Sequence, residues 1–228
     1  MSLLSDLAAS VAPKKAAKPW PNFLTPFPVK IKEVADPTNG GVLNEYLEKA
    51  IRDAGDKYEN RTEAKCLMTR WDMHELYESF RLIGEAAIGF ASMVPLARRT
   101  TPEGEPENVP LSITESWGLI YGRGNSCNSH THWPSLWSYT YCVKGDERHP
   151  PLVFPHMVER SSLSNGIDDG VVPHEEMSVT PLTGQMILWP AWLHHYVPEQ
   201  TVDDDRIMIA GNLDRADLWR PAYRRADL

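Results

Sequence analysis

Two histidines one residue apart, His130 and His132, sit in the stretch Ser129-His130-Thr131-His132-Trp133. Side chains repeat every two residues along a strand, so both imidazoles can point at one ion from a strand or its fraying end. Imidazole suits iron, zinc, copper and nickel. Two histidines and a carboxylate with open coordination positions make a site for oxygen chemistry at iron. A third ligand must come from a strand distant in sequence but adjacent in space. His194 and His195 follow a Pro181-Leu182-Thr183-Gly184 turn and a strand-like run, and consecutive residues of a strand face opposite sides, so one of the pair faces in. The remaining histidines offer less: His74 starts a helix, and His149, His156 and His174 lie beside prolines or acids and read as surface residues.

The elements that must position these groups follow from periodicity. Phe27 to Val34 alternates apolar and charged residues and predicts a first strand. Leu43, Tyr46, Leu47, Ala50, Ile51 and Ala54 fall at helical spacing, as do Leu76, Phe80, Ile83, Ala87 and Phe90, so two amphipathic helices are expected to support a sheet. Arg98 to Pro110 reads as a loop. From Leu111 onward, short segments rich in aromatic and β-branched residues alternate with Gly, Pro and Asn: 112–121, 136–143, 152–154, 177–180, 185–189, 196–197 and 206–213. Many short strands at this spacing argue a sandwich or barrel. The expected organisation is a flexible arm over 1–21, then one domain over 22–228. Within it, 22–97 gives strand and helical support, 111–213 the β core, and 214–228 a tail packing back through Trp219 and Tyr223.

Totals bound the function classes. The chain has 228 residues, 42% of them apolar, which supports a real core. A net charge of −8 argues against a nucleic-acid backbone as the main partner. Three cysteines, Cys66, Cys127 and Cys142, are an odd count without a C-x-x-C and fit reduced thiols in the cytoplasm. No apolar run reaches the length of a membrane span.

The ordered set of motifs resembles the iron(II)- and 2-oxoglutarate-dependent oxygenases, and within them a family of bacteria and phages. The set comprises Trp117-Gly118-Leu119-Ile120-Tyr121, His130-Thr131-His132-Trp133-Pro134, Ser138-Tyr139-Thr140-Tyr141 and Pro181-Leu182-Thr183-Gly184. It continues with Trp189-Pro190-Ala191-Trp192-Leu193-His194-His195 and Arg206-Ile207-Met208-Ile209-Ala210-Gly211-Asn212. The resemblance implies a mainly β, double-stranded β-helix (jelly-roll) fold with an N-terminal layer of helices, and Fe(II) and 2-oxoglutarate as cofactors. By position, His130 is the first iron ligand and His195, rather than His194, the distal one. Arg206 matches the residue that pairs with the far carboxylate of 2-oxoglutarate, and Tyr121 a tyrosine that hydrogen-bonds the same co-substrate. A planar guanidinium suits a carboxylate at the bottom of an apolar pocket. No acid–base residue is implied beyond the metal centre.

One departure stands out. The superfamily's usual His-x-Asp or His-x-Glu is His130-Thr131-His132 here. His132 can ligate, can stand aside and leave a position for halide or water, or can be replaced by a carboxylate such as Glu115 or Glu199; ligation by His132 is the reading adopted. The function expected is a dioxygenase, a hydroxylase of a small molecule or a protein side chain, with no membrane role. The alternatives are a cupin-type metalloenzyme needing no co-substrate, since Gly124 precedes the H-x-H at cupin spacing, and a non-catalytic jelly roll. Trp133, Trp137 and Trp192 are candidates for the pocket mouth, and the loops 98–110 and 158–176 for its walls.

Overall fold

The computed structural model describes residues 29–35, 41–55, 62–94, 98–100, 104, 106–155 and 176–217. The expected arm, the insert at 165–170, most of the loop 158–176 and the tail beyond Asp217 lie outside them. Strands run β1 (Lys30–Glu33), β2 (Ala64–Lys65), β3 (Leu67–Met68), β4 (Arg98–Thr100), β5 (Pro106–Asn108), β6 (Leu111–Tyr121) and β7 (Ser126–His130). They continue with β8 (Trp137–Lys144), β9 (Leu152–Phe154), β10 (Met177–Val179), β11 (Gln185–Pro190), β12 (His195–Val197) and β13 (Arg206–Arg215). Helices are α1 (Gly41–Ala54), α2 (Met73–Leu76) and α3 (Glu78–Ser92).

The strands form a six-stranded sheet in the order β1-β11-β8-β13-β6-β3 and a five-stranded sheet in the order β10-β9-β12-β7-β2. The strand pairs are antiparallel, and the fold is a jelly roll. Alternation along the central strands sorts residues into two layers. On β8, Trp137, Tyr139, Tyr141 and Val143 face the helices, while Cys142 faces the space between the sheets. On β13, Ile207 and Ile209 go to the helix side and Met208 to the inter-sheet side. The larger sheet is therefore buried on both faces, which is why its strands read as nearly continuous apolar runs.

The helices cover one face through the expected stripes: Leu43, Leu47, Ala50 and Ile51 of α1, and Phe80, Ile83, Ala87 and Phe90 of α3, are buried. Close approach needs Gly118 on β6, where a Cβ would stand 2.5 Å from Ile51 Cγ1. Asn44, polar within the α1 stripe, is buried because its side chain donates to the Val143 carbonyl (2.6 Å) and accepts from the Tyr141 hydroxyl (2.6 Å).

Two expectations are corrected. The second helical stripe is broken: Tyr77 is extended (φ −127°, ψ 121°), separating α2 from α3, and Leu76 is left exposed. The stretch 98–110 is not all loop, since β4 and β5 pair antiparallel within it. Among the described residues no helix is long and apolar enough to cross a membrane.

Candidate metal centre

The H-x-H stretch is fixed from both sides. β7 ends at His130, whose Cα partner across the ladder is His195 on β12. Beyond the strand, the His132 N–H donates to the Ala191 carbonyl at 2.8 Å, which ties the second histidine to the β11–β12 connection. His195 is buried and its neighbour His194 exposed, as strand alternation requires. The structure thus brings His130, His132 and His195 together, with one ring nitrogen from each lying within 4.8 Å of the others, and leaves His194 outside.

The tautomers follow from hydrogen bonding. His130 Nδ1 lies 2.8 Å from the Asn128 carbonyl, and His195 Nδ1 lies 3.0 Å from the Leu193 carbonyl. A carbonyl only accepts, so each Nδ1 carries the proton and each Nε2 presents a lone pair. Both orienting carbonyls sit two residues upstream of the ring they hold. Burial first, and the neighbouring His130 second, push the His195 pKa down to about 3, so this ring is neutral at physiological pH. His132 Nε2 is 3.2 Å from His195 Nε2. Two ring nitrogens at that distance need a proton or a cation between them. Adjacent donors at right angles around an ion, each bonded at ~2.1 Å, stand roughly 3.0 Å apart, which the observed spacing matches. Neither carboxylate candidate joins the cluster. Glu115 accepts from Asn212 Nδ2 at 2.7 Å, and Glu199 is exposed.

Arg206 opens β13 opposite Tyr121 on β6, and its side chain is turned into the protein, 2% exposed. The guanidinium lies over the Tyr121 ring, 4.6 Å from its centroid, and donates to the Pro150 carbonyl. Its Nε has no partner, and no carboxylate pairs with it among the described residues. Burial pushes the Arg206 pKa down, although a guanidinium stays charged in a protein. The nearby thiols offer no counter-charge: burial pushes Cys127 and Cys142 each up to about 12. Burial likewise raises the Tyr121 hydroxyl well above its ordinary value, so it is a neutral donor. A buried cation without an anion is costly. This one lies between the sheets, as the triad does, and fits an incoming carboxylate.

Around the triad, Trp117 lies 5.7 Å from the His132 ring centroid, and Trp189 and Phe154 lie 4.9 and 6.1 Å from that of His195. Of the expected mouth tryptophans, Trp133, which follows His132, and Trp192, in the β11–β12 connection, are exposed, whereas Trp137 is buried in the helix-side core. His149 is not a surface residue. It is buried, accepts from the Asp146 N–H at 3.1 Å and reaches the Asp204 carbonyl at 3.3 Å, so it pins the turn whose Pro150 carbonyl meets Arg206. A cavity of about 410 Å³ along that turn and Leu182–Thr183 includes none of the three histidines.

Residues 115–212 match the family described as "Putative 2OG-Fe(II) oxygenase". No curated protein matches the chain by sequence. Among solved structures, HygX from Streptomyces hygroscopicus with nickel, 2-oxoglutarate and hygromycin B bound is similar at 11% identity, covering 85% of this chain and 86% of that one, with a TM-score of 0.58. SnoN, the non-heme alpha ketoglutarate dependent epimerase from nogalamycin biosynthesis, is 13% identical over 93% and 83% of the two chains, TM-score 0.58. A prolyl-4-hydroxylase from Pseudomonas putida is 14% identical over 92% and 98%, TM-score 0.53. At these identities the likeness is one of fold.

Proposed function

We propose that the chain, whose residues 115–212 match the family described as "Putative 2OG-Fe(II) oxygenase", is an Fe(II)- and 2-oxoglutarate-dependent hydroxylase whose iron is held by His130, His132 and His195 and whose co-substrate is held by Arg206 and Tyr121. The observation that carries the reading is the buried Arg206 guanidinium, without a carboxylate partner among the described residues, in the same inter-sheet space as three converging imidazoles. When bound, iron and 2-oxoglutarate together supply oxygen activation, with the co-substrate leaving as succinate and carbon dioxide.

The chain's own residues bind, orient and exclude water. The Asn128 and Leu193 carbonyls hold His130 and His195 with their lone pairs inward. His132 is the third ligand in place of a carboxylate, which leaves the site one charge more positive. Arg206 makes a two-point pairing with the far carboxylate of the co-substrate, and Tyr121 stacks beneath the guanidinium and donates its hydroxyl. Cys66, Cys127, Cys142 and Met208 keep this end of the pocket apolar. Trp133 and Trp192, both exposed, receive the substrate. That substrate is a small molecule or a peptide side chain; HygX with its hygromycin B and the prolyl hydroxylases illustrate both classes on this fold.

The test is succinate formation from 2-oxoglutarate in the presence of Fe(II) and oxygen. It is expected to vanish in Arg206→Ala while the variant still binds iron. Unaltered turnover in that variant contradicts the assignment of the clamp.

A further inference from the structure

Among the described residues, Arg206 Nε is not the sole buried donor between the sheets that lacks an acceptor. The Trp189 indole Nε1 is the second, and Trp189 is 2% exposed within the inter-sheet core. Its ring meets the His195 ring at 64° with 4.9 Å between centroids, and the Phe154 ring at 69° with 5.7 Å. A phenyl ring would offer the same kind of apolar packing without a polar atom. An indole brings a donor that is costly to bury unless something accepts from it. Trp189 and Arg206 also address different places. On β8, Trp189 pairs with Ser138, whereas Ile207, next to Arg206, pairs with Lys144, six residues further along. Trp189 therefore lies at the histidine end of the inter-sheet space and Arg206 at the far end.

We propose that Trp189 is a binding residue for the 2-oxo acid end of the co-substrate, donating its indole N–H to an oxygen of the group that sits at the histidines. The inference rests on the assignment of the triad and Arg206 given above. A 2-oxo acid carries carboxylate and keto oxygens at one end, and an anionic oxygen is the strongest acceptor a buried N–H can find. The two orphan donors then divide the ligand. Trp189 holds whatever makes it a 2-oxo acid, and Arg206 holds what makes it a dicarboxylate.

The division is testable with two ligands on zinc-loaded protein: 2-oxoglutarate, which has both ends, and 2-oxobutanoate, which lacks the far carboxylate. Calorimetric titration of Trp189→Phe is expected to show both acids weakened by a similar factor, about tenfold, at unchanged zinc content. Arg206→Gln is expected to weaken 2-oxoglutarate alone and leave 2-oxobutanoate within twofold. In the wild-type protein labelled with ¹⁵N at the indoles, the resonance missing from Trp189→Phe moves downfield when either acid is added. If Trp189→Phe does not fold, that resonance is assigned by its proximity to the His195 ring protons. Affinities within twofold of wild type for both acids overturn the role of Trp189, as does a loss confined to 2-oxoglutarate or an unmoved indole resonance. A wild-type protein that binds neither acid overturns the co-substrate assignment as well.

Discussion

Arg206→Met separates stability from function, because the guanidinium is poorly matched in the protein alone. What it gains there is one charged hydrogen bond, to the Pro150 carbonyl, and a cation–π contact at 4.6 Å from the Tyr121 centroid. These contribute about 1.5–3 kcal/mol and about 1–2 kcal/mol respectively. Against them stand the desolvation of a 2%-exposed cation with no counter-ion, which costs several kcal/mol, and an Nε without a partner. Methionine fills similar volume and carries no charge. The ligand-free variant is therefore expected to be as stable as wild type or up to about 2 kcal/mol more stable. The ligand response moves the other way. A ligand at one hundred times its Kd adds about 2.7 kcal/mol to the native state, which for a chain this size raises Tm by about 5–11 °C. Wild-type protein loaded with zinc should show that rise with 2-oxoglutarate, and Arg206→Met should show less than about 2 °C at the same concentration. Differential scanning calorimetry with and without the acid reads both numbers. A variant destabilised by more than about 2 kcal/mol that keeps the full ligand-induced rise would refute the reasoning, since Arg206 would then be a structural residue.

Further outcomes follow from the same geometry. His132→Ala should lower metal affinity by two orders of magnitude or more, and His194→Ala should leave it unchanged, as read by competition against a chromogenic chelator. Gly211→Ala should destabilise by about 2–3 kcal/mol in urea titration, because the new methyl overlaps the Tyr139 ring and stands 2.7 Å from the Glu115 carbonyl oxygen, which the β6–β13 ladder holds in place. Burial raises the Cys142 thiol from 9.0 to about 12, so between those pH values the unfolded chain loses a proton that the native state keeps. Stability then falls as pH rises, by at most about 1.4 kcal/mol per unit for this group, and Cys142→Ala should show a shallower decline between pH 9 and 10.5.

The legible parts of the sequence were those where one physical rule acts alone. Apolar alternation and aromatic density located β6, β8, β9, β11 and β13 nearly to the residue, because these strands are buried on one or both faces. The i, i+2 spacing puts His130 and His132 together; alternation requires only that one of His194 and His195 face in, and the family resemblance selects His195. Elements held by pairing rather than pattern were invisible. β2 and β3 are two residues each, and of β7, Ser126–His130, which is polar apart from Cys127, only the histidine end is legible, through the H-x-H spacing. The break at Tyr77 has no proline or glycine to announce it. His149 reads as a loop histidine because its partner Asp204, 55 residues on, is brought to it only by the fold. That the Trp189 N–H lacks an acceptor is a property of three dimensions, which no spacing in the sequence announces.

The most direct test of the account is the visible absorption of the protein reconstituted anaerobically with Fe(II) and 2-oxoglutarate. A weak charge-transfer band is expected that needs both components, survives in His194→Ala and disappears in His195→Ala. Iron binding without the band would contradict the co-substrate assignment and favour a metal site that works without one, and an absence of iron binding would contradict the metal centre itself.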